Sequence, residues 1–143
     1  MALMQMIYMS TLDTAAEPDL PAIVEKSVRN NAVHGITGML LCAGGSVMQV
    51  LEGEAADLAA TFAVIERDAR HRDVFVLTHE PVETRQFSNW SMGYAQLSGV
   101  DLAGSPAVAE IFQGTPKEVM QRVKPGDALT VLLSFASGSL GIR

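Results

Sequence analysis

The chain of 143 residues has little of what several protein classes require. Its one cysteine, Cys42, rules out an internal disulfide and a thiolate metal cluster. Lys and Arg number 10 against 16 Asp and Glu, which leaves a formal net charge of −6. A phosphate-binding surface needs the opposite balance, and no basic run occurs, so no nucleic-acid partner is expected. Long apolar runs are missing too. Residues 38–43 and 128–136 fall far short of the ~20 residues that span a bilayer, so no membrane insertion is expected. The opening Met1-Ala-Leu-Met-Gln-Met has no basic segment ahead of its apolar residues, which argues against a secretory signal. With a single reduced cysteine, the expected compartment is the cytoplasm. His34, His71 and His79 share no ligand spacing, and no metal site is expected. Neither an internal repeat nor a low-complexity segment is visible.

What remains is a chain with 48% hydrophobic residues, enough to bury one proper core. Residues 3–10 alternate as a strand, with Ile7 and Met9 on one side and Met6, Tyr8 and Ser10 on the other. Asp19 is a suitable N-cap for a helix running to about residue 32, with Pro21 in its first turn and Gly35 beyond its end. Leu20, Ile23, Val24, Ser27 and Val28 form its inward stripe. Residues 36–42 and 46–52 flank Gly44-Gly45, a hairpin turn signal. A second helix is predicted over residues 55–68, where Leu58, Phe62 and Ile65 share one face. Strands follow over residues 74–82 and 90–97.

The order β-α-β-β-α-β plus one strand predicts an α+β fold, a ferredoxin-like βαββαββ sandwich. Several strands are apolar on both faces, as in Gly38-Met-Leu-Leu-Cys, so the face away from the two helices needs a cover. Residues 105–112 and 116–134 are available for it. Lys124-Pro125-Gly126 breaks the second stretch, which predicts two short capping helices there. The expected organisation is a module over residues 1–97, a helical cap over 98–136, and a tail over 137–143.

Polar residues occupy positions that a plain core would fill with apolar ones. Asn31 continues the inward stripe of the first helix, and Asn30 lies beside it. Gln49 sits between Val47 and Leu51 on one strand face, and Tyr8 is central in the first strand. Each has an ordinary structural explanation: helix capping, an edge position, a core tyrosine with its hydroxyl satisfied. Together they suggest a site, because a primary amide matches the donor–acceptor edge of a cyclic imide or nucleobase. A slot between the helices, walled by Ile23, Val24, Phe62 and Ile65, would take a flat aromatic body.

Six ordered segments carry a family resemblance: Ile7-Tyr-Met-Ser, Asn30-Asn-Ala, Ile36-Thr-Gly-Met-Leu-Leu, Gln49-Val-Leu-Glu-Gly, Arg67-Asp-Ala-Arg-His and Phe87-Ser-Asn-Trp-Ser-Met-Gly. Over residues 3–97 the chain resembles the BLUF family of blue-light sensors. The resemblance implies FAD, held non-covalently between the two helices. It implies that Tyr8 donates an electron and a proton to the excited flavin. It implies that Gln49 bridges tyrosine and flavin and rearranges. Asn31 corresponds to the asparagine at the flavin imide edge, with Asn30 in the same site. Ser10 and Ser27 sit at pocket positions, and Arg70 and His71 correspond to groups near the ribityl-phosphate end. A solvated helix end is the alternative reading of that basic pair. Trp90 and Met92 correspond to the fifth-strand pair that relays the signal. The Tyr8-to-Gln49 separation is slightly shorter than the family pattern, a difference assigned to the loop over residues 13–19.

The resemblance implies a sensor without catalysis of its own, which acts on a separate downstream protein and forms a homo-oligomer. Two other classes compete. An acylphosphatase-like hydrolase would need a Gly- and Arg-bearing anion cradle after the first strand, and residues 11–19 are acidic with neither. A ferredoxin-like effector-binding module without chromophore is the other. The pocket as read grips only the ring system, so the residues do not separate FAD from FMN or riboflavin.

Overall fold

A computed structural model of the chain describes residues 3–13, 20–68, 71–88, 93–97 and 106–136. In chain order these form β1 (Leu3–Leu12), α1 (Leu20–His34), β2 (Thr37–Ala43), β3 (Ser46–Glu54), α2 (Ala55–Arg67), β4 (His71–Pro81) and β5 (Gly93–Leu97). Three helices follow: α3 (Pro106–Ile111), α4 (Pro116–Arg122) and α5 (Pro125–Ala136). The strands make one sheet in the order β4-β1-β3-β2-β5. Neighbours pair antiparallel except β5, which runs parallel to β2. This is the ferredoxin-like α+β arrangement, extended by β5.

Local chemistry sets the corners. Gly35 (φ 67°) takes the left-handed position that ends α1, and Ile36 N–H reaches back to Asn31 O at 2.9 Å. That bond is the signature of a Schellman turn, which stops the helix and turns the chain into β2. Gly44 and Gly45 both have positive φ, as a two-residue hairpin with the strands' own twist requires. In β2, Gly38 has no room for a side chain: a Cβ there would collide with the carbonyl of Val50.

Alternate strand residues feed two cores. Met6, Tyr8, Leu40, Cys42, Val47 and Leu51 face α1 and α2 with Val24 and Leu58. Ile7, Met9, Met39, Leu41, Met48 and Val50 face the other way, onto Val108, Phe112, Val119, Val123, Val131 and Leu132. Helices therefore cover both faces of the sheet, which is why β2 and β3 are apolar on both. The two helices expected over residues 116–134 are α4 and α5, and α3 adds a third. Thr115 and Glu118 form a capping box at α4 with Pro116 in its first turn, and these backbone and hydroxyl bonds hold the Glu118 carboxyl below its usual range. Pro125 opens α5, in the first turn where a missing N–H costs nothing.

β4 begins three residues earlier than its apolar pattern suggests. Ladder pairing of His71 with Leu12 and Arg72 with Thr11 extends it through charged residues, since backbone pairing at an edge needs no apolar side chain. Asp73, at φ 53°, lies in an irregular stretch of that pairing.

Candidate functional site

A cavity of about 350 Å³ opens between α1 and α2, over β3. Helix α1 lines it with Ser27, Asn30, Asn31 and His34, at the i, i+3, i+4, i+7 spacing of one helical stripe. Helix α2 contributes Asp57, Ala60, Thr61, Val64 and Ile65 from the same kind of stripe. The floor is β3, through Gln49 and Leu51.

Gln49 is 4% exposed and Asn31 also 4%, two buried amides on the cavity wall. Tyr8 is fully buried and directly opposite Gln49 in the β1–β3 register. Its hydroxyl donates to Gln49 Oε1. Phe62 packs edge-on against the phenol, ring centroids 5.5 Å apart, and holds it from the α2 side. Burial, with the Asp68 carboxylate as a second cause, pushes the phenol far above its ordinary pKa. Tyr8 thus keeps its proton, and that proton is aimed at the amide of the cavity floor.

Tyr8 meets the cavity through Gln49 rather than by lining it. Ser10 is buried next along the same strand face, opposite Val47. Ile23 is half-buried, its carbonyl accepts from the Ser27 hydroxyl at 3.0 Å, and of these two residues Ser27 lines the cavity. Asn30 lines the cavity but is exposed, so it stands at the mouth while Asn31 lies inside. His71 opens β4 instead of ending α2, whose last residue is Arg67. The expectations for Arg70, Trp90 and Met92 fall outside the described residues, as does the loop over residues 14–19.

Sequence reasoning missed His34, Leu51, Asp57, Ala60, Thr61 and Val64 as lining groups. The signal was available: His34 is i+3 from Asn31, and the α2 residues repeat the stripe one step round from Leu58 and Phe62. Among the described residues no group of His, Cys, Asp or Glu is arranged to hold a metal.

The donor set suits a flat heteroaromatic ring. The cavity lies at the small end of small-molecule sites, its amides offer paired donors and acceptors, and Leu51, Val64 and Ile65 supply apolar wall. The family model for sensors of blue-light using FAD matches residues 3–93. The chain belongs to this BLUF family. It is a blue-light sensor module whose chromophore is FAD.

Among solved structures it resembles BlrB, a BLUF protein in its dark state, with a TM-score of 0.78, 25% identity, and 96% and 97% of the two chains covered. It also resembles BlrP1 of Klebsiella pneumoniae with FMN and cyclic diGMP, at a TM-score of 0.66 and 30% identity, covering 96% of this chain and 35% of that one. A curated relative, photoactivated adenylate cyclase subunit beta of Euglena longa, is 35% identical over 75 residues. That match takes in 52% of this chain and 9% of the cyclase subunit, so the BLUF module spans under a tenth of its curated relative. Among the described residues no helix is long and apolar enough to cross a membrane.

Proposed function

We propose that this BLUF chain senses blue light through a Tyr8–Gln49 switch beneath its flavin and passes the change across the sheet to α3–α5. The hydrogen bond from the buried Tyr8 hydroxyl to the Gln49 amide carries the proposal. When bound, the flavin supplies blue absorption and, once excited, a strong oxidant. Asn31 and Gln49 would hold its polar edge, Ser27 and Asn30 the rim, and Leu51, Val64 and Ile65 its apolar body, without a covalent link. Arg70 and His71 would serve its ribityl-phosphate end, an assignment that rests on the family resemblance.

In the dark, Tyr8 stores a proton at Oη and Gln49 presents a carbonyl to it. An amide carries acceptor and donor on opposite sides, so a change in its orientation or tautomer reverses what it offers to Tyr8 and to the cavity at once. Burial excludes water from the exchange, so the altered bonds persist until the amide returns. Ser10 packs beside the pair, and Phe62 limits movement of the phenol. Trp90 and Met92 would relay the change through the segment that enters β5.

The output is read by a protein rather than by chemistry in this chain. On this reading light provides the driving force, and the cavity serves to hold the chromophore. We assign the cap over residues 98–136 as the surface that a second copy or a separate effector engages, and the cytoplasm as its compartment. Relatives that carry cyclase activity do so in chains far longer than this match.

Heat release of the chromophore from the purified protein, followed by chromatography, tests the first step. FAD at near-equal molarity to protein is the expected result. A folded, colourless protein that takes up no added flavin would overturn the proposal.

A further inference from the structure

Strands β4 and β5 lie at opposite edges of the sheet, so the chain between them must cross all three central strands. Its described part, residues 82–88, starts at β1, where Val82 N–H donates to Leu3 O at 3.0 Å. It continues over the face that carries α3–α5, where Phe87 joins the same core as Val50, Val108 and Leu132. A chain lying flat on a sheet has no ladder partners for its N–H groups, and burying them bare is costly. An acceptor must rise from the sheet itself.

Glu52 is that acceptor. It lies on β3, is fully buried, and points away from the cavity, on the side of Met48 and Val50. Its Oε2 accepts from Gln86 N–H at 2.8 Å and Gln5 Nε2 at 2.9 Å. Its Oε1 accepts from Phe87 N–H at 2.8 Å and Thr37 Oγ1 at 3.3 Å. Gln5 and Thr37 are the direct partners of Glu52 on β1 and β2, so one polar row crosses the three strands. The crossover answers in kind: Gln86 Oε1 accepts from Gln5 at 2.8 Å, and Arg85 donates to Thr37 Oγ1 at 2.9 Å and to Glu52 O at 3.0 Å. Every partner of the carboxylate is a donor, which suits a pure acceptor and not an amide.

We propose that Glu52 is a positioning residue of the light response, locking the β4–β5 crossover to the strand that carries Gln49. The two side chains are three residues apart on β3 and emerge on opposite faces. A shift of β3 at Gln49 moves Glu52, and with it the Gln86 and Phe87 amides. Phe87, packed in the core with Val108 and Leu132, then carries the movement to the helical face. The proposal rests on the light-response reading above and adds the route out of the pocket.

The test is amide hydrogen exchange on wild-type and Glu52→Gln holoprotein, dark and under blue light, with absorption recorded on the same samples. Gln keeps the shape but turns one oxygen into a donor facing backbone donors. Bound flavin, and the small light-induced red shift of its absorption expected when Gln49 exchanges its bonds to the ring, should survive, because the cavity is on the other face. Dark exchange at Gln86 and Phe87 should rise by about tenfold or more, the scale of one charge-assisted bond, and the light–dark difference over residues 106–136 should vanish. Unchanged exchange at Gln86 and Phe87 would overturn the lock. A loosened crossover with a full light–dark difference would reduce Glu52 to a staple and overturn the proposal too. So would a wild type that red-shifts without any light-dependent exchange over residues 85–136. A wild type with no red shift would instead remove the sensor reading, while the dark exchange still decides the lock. If Glu52→Gln fails to fold, Gln5→Met removes a donor to Oε2 and the bond to Gln86, and exchange at Gln86 with the light–dark difference over residues 106–136 decides in the same way.

Discussion

Tyr8 and Gln49 are direct partners across the β1–β3 ladder, and the phenol donates to the amide oxygen where the pocket meets the sheet. Both side chains are buried, and an unpaired buried hydroxyl or amide costs roughly 1–3 kcal/mol, so the bond between them counts. On the proposed reading, the pair answers a change at the pocket by exchanging these bonds.

The neutral phenol gives a pH test of that burial. Its pKa is raised in the folded state, so the folded chain retains a proton that the unfolded chain releases. The resulting stability is complete below the ordinary phenol pKa of about 10 and is lost as pH rises beyond it, by up to about 1.36 kcal/mol per pH unit. Urea titrations from pH 8 to 11 should show this extra slope in wild type and not in Tyr8→Phe. Equal slopes would mean that Tyr8 is not shielded.

Asn31→Ala should weaken flavin binding without unfolding the chain. Loss of one amide bond worth about 0.5–1.5 kcal/mol net corresponds to a rise in Kd of roughly two- to tenfold. Fluorescence titration with flavin checks it. An unchanged Kd would return Asn31 to a role in ending α1.

The stripes and alternations in the sequence led to the correct strand faces, because burial on a helix or strand is a local, periodic property. Tyr8, Asn31 and Gln49 were legible as polar residues out of place. Glu52 was not, although it belongs to the segment Gln49-Val-Leu-Glu-Gly. A glutamate near a strand end reads as solvated, and its burial comes from a crossover 34 residues away, at Gln86. The exposure of Asn30 was likewise hidden, since the helix period puts it beside Asn31 and only the neighbouring α2 decides which one is covered. The extension of β4 to His71 depends on pairing with Leu12, which no local pattern records.

Gly38→Ala tests the packing at the centre of the sheet. The added methyl meets the Val50 carbonyl across the β2–β3 ladder, and backbone cannot move aside cheaply. A loss of roughly 1–3 kcal/mol is expected, the usual scale of overpacking, read as a lower denaturation midpoint. An unchanged midpoint would show that β2 and β3 are more loosely paired than described.

Trp90→Ala should keep the chromophore chemistry and weaken its transmission. The red shift should persist, while light-dependent amide exchange over residues 106–136 should fall. Wild-type exchange differences in the variant would take Trp90 out of the relay.

The most direct test of the switch is the light-minus-dark absorption spectrum of flavin-loaded wild type beside Tyr8→Phe at matched flavin occupancy. Phenylalanine fills the same space against Phe62 and removes only the hydroxyl that Gln49 accepts from. The account predicts a reversible red shift in wild type and none in Tyr8→Phe, with the flavin still bound. A full, reversible red shift in Tyr8→Phe would contradict it.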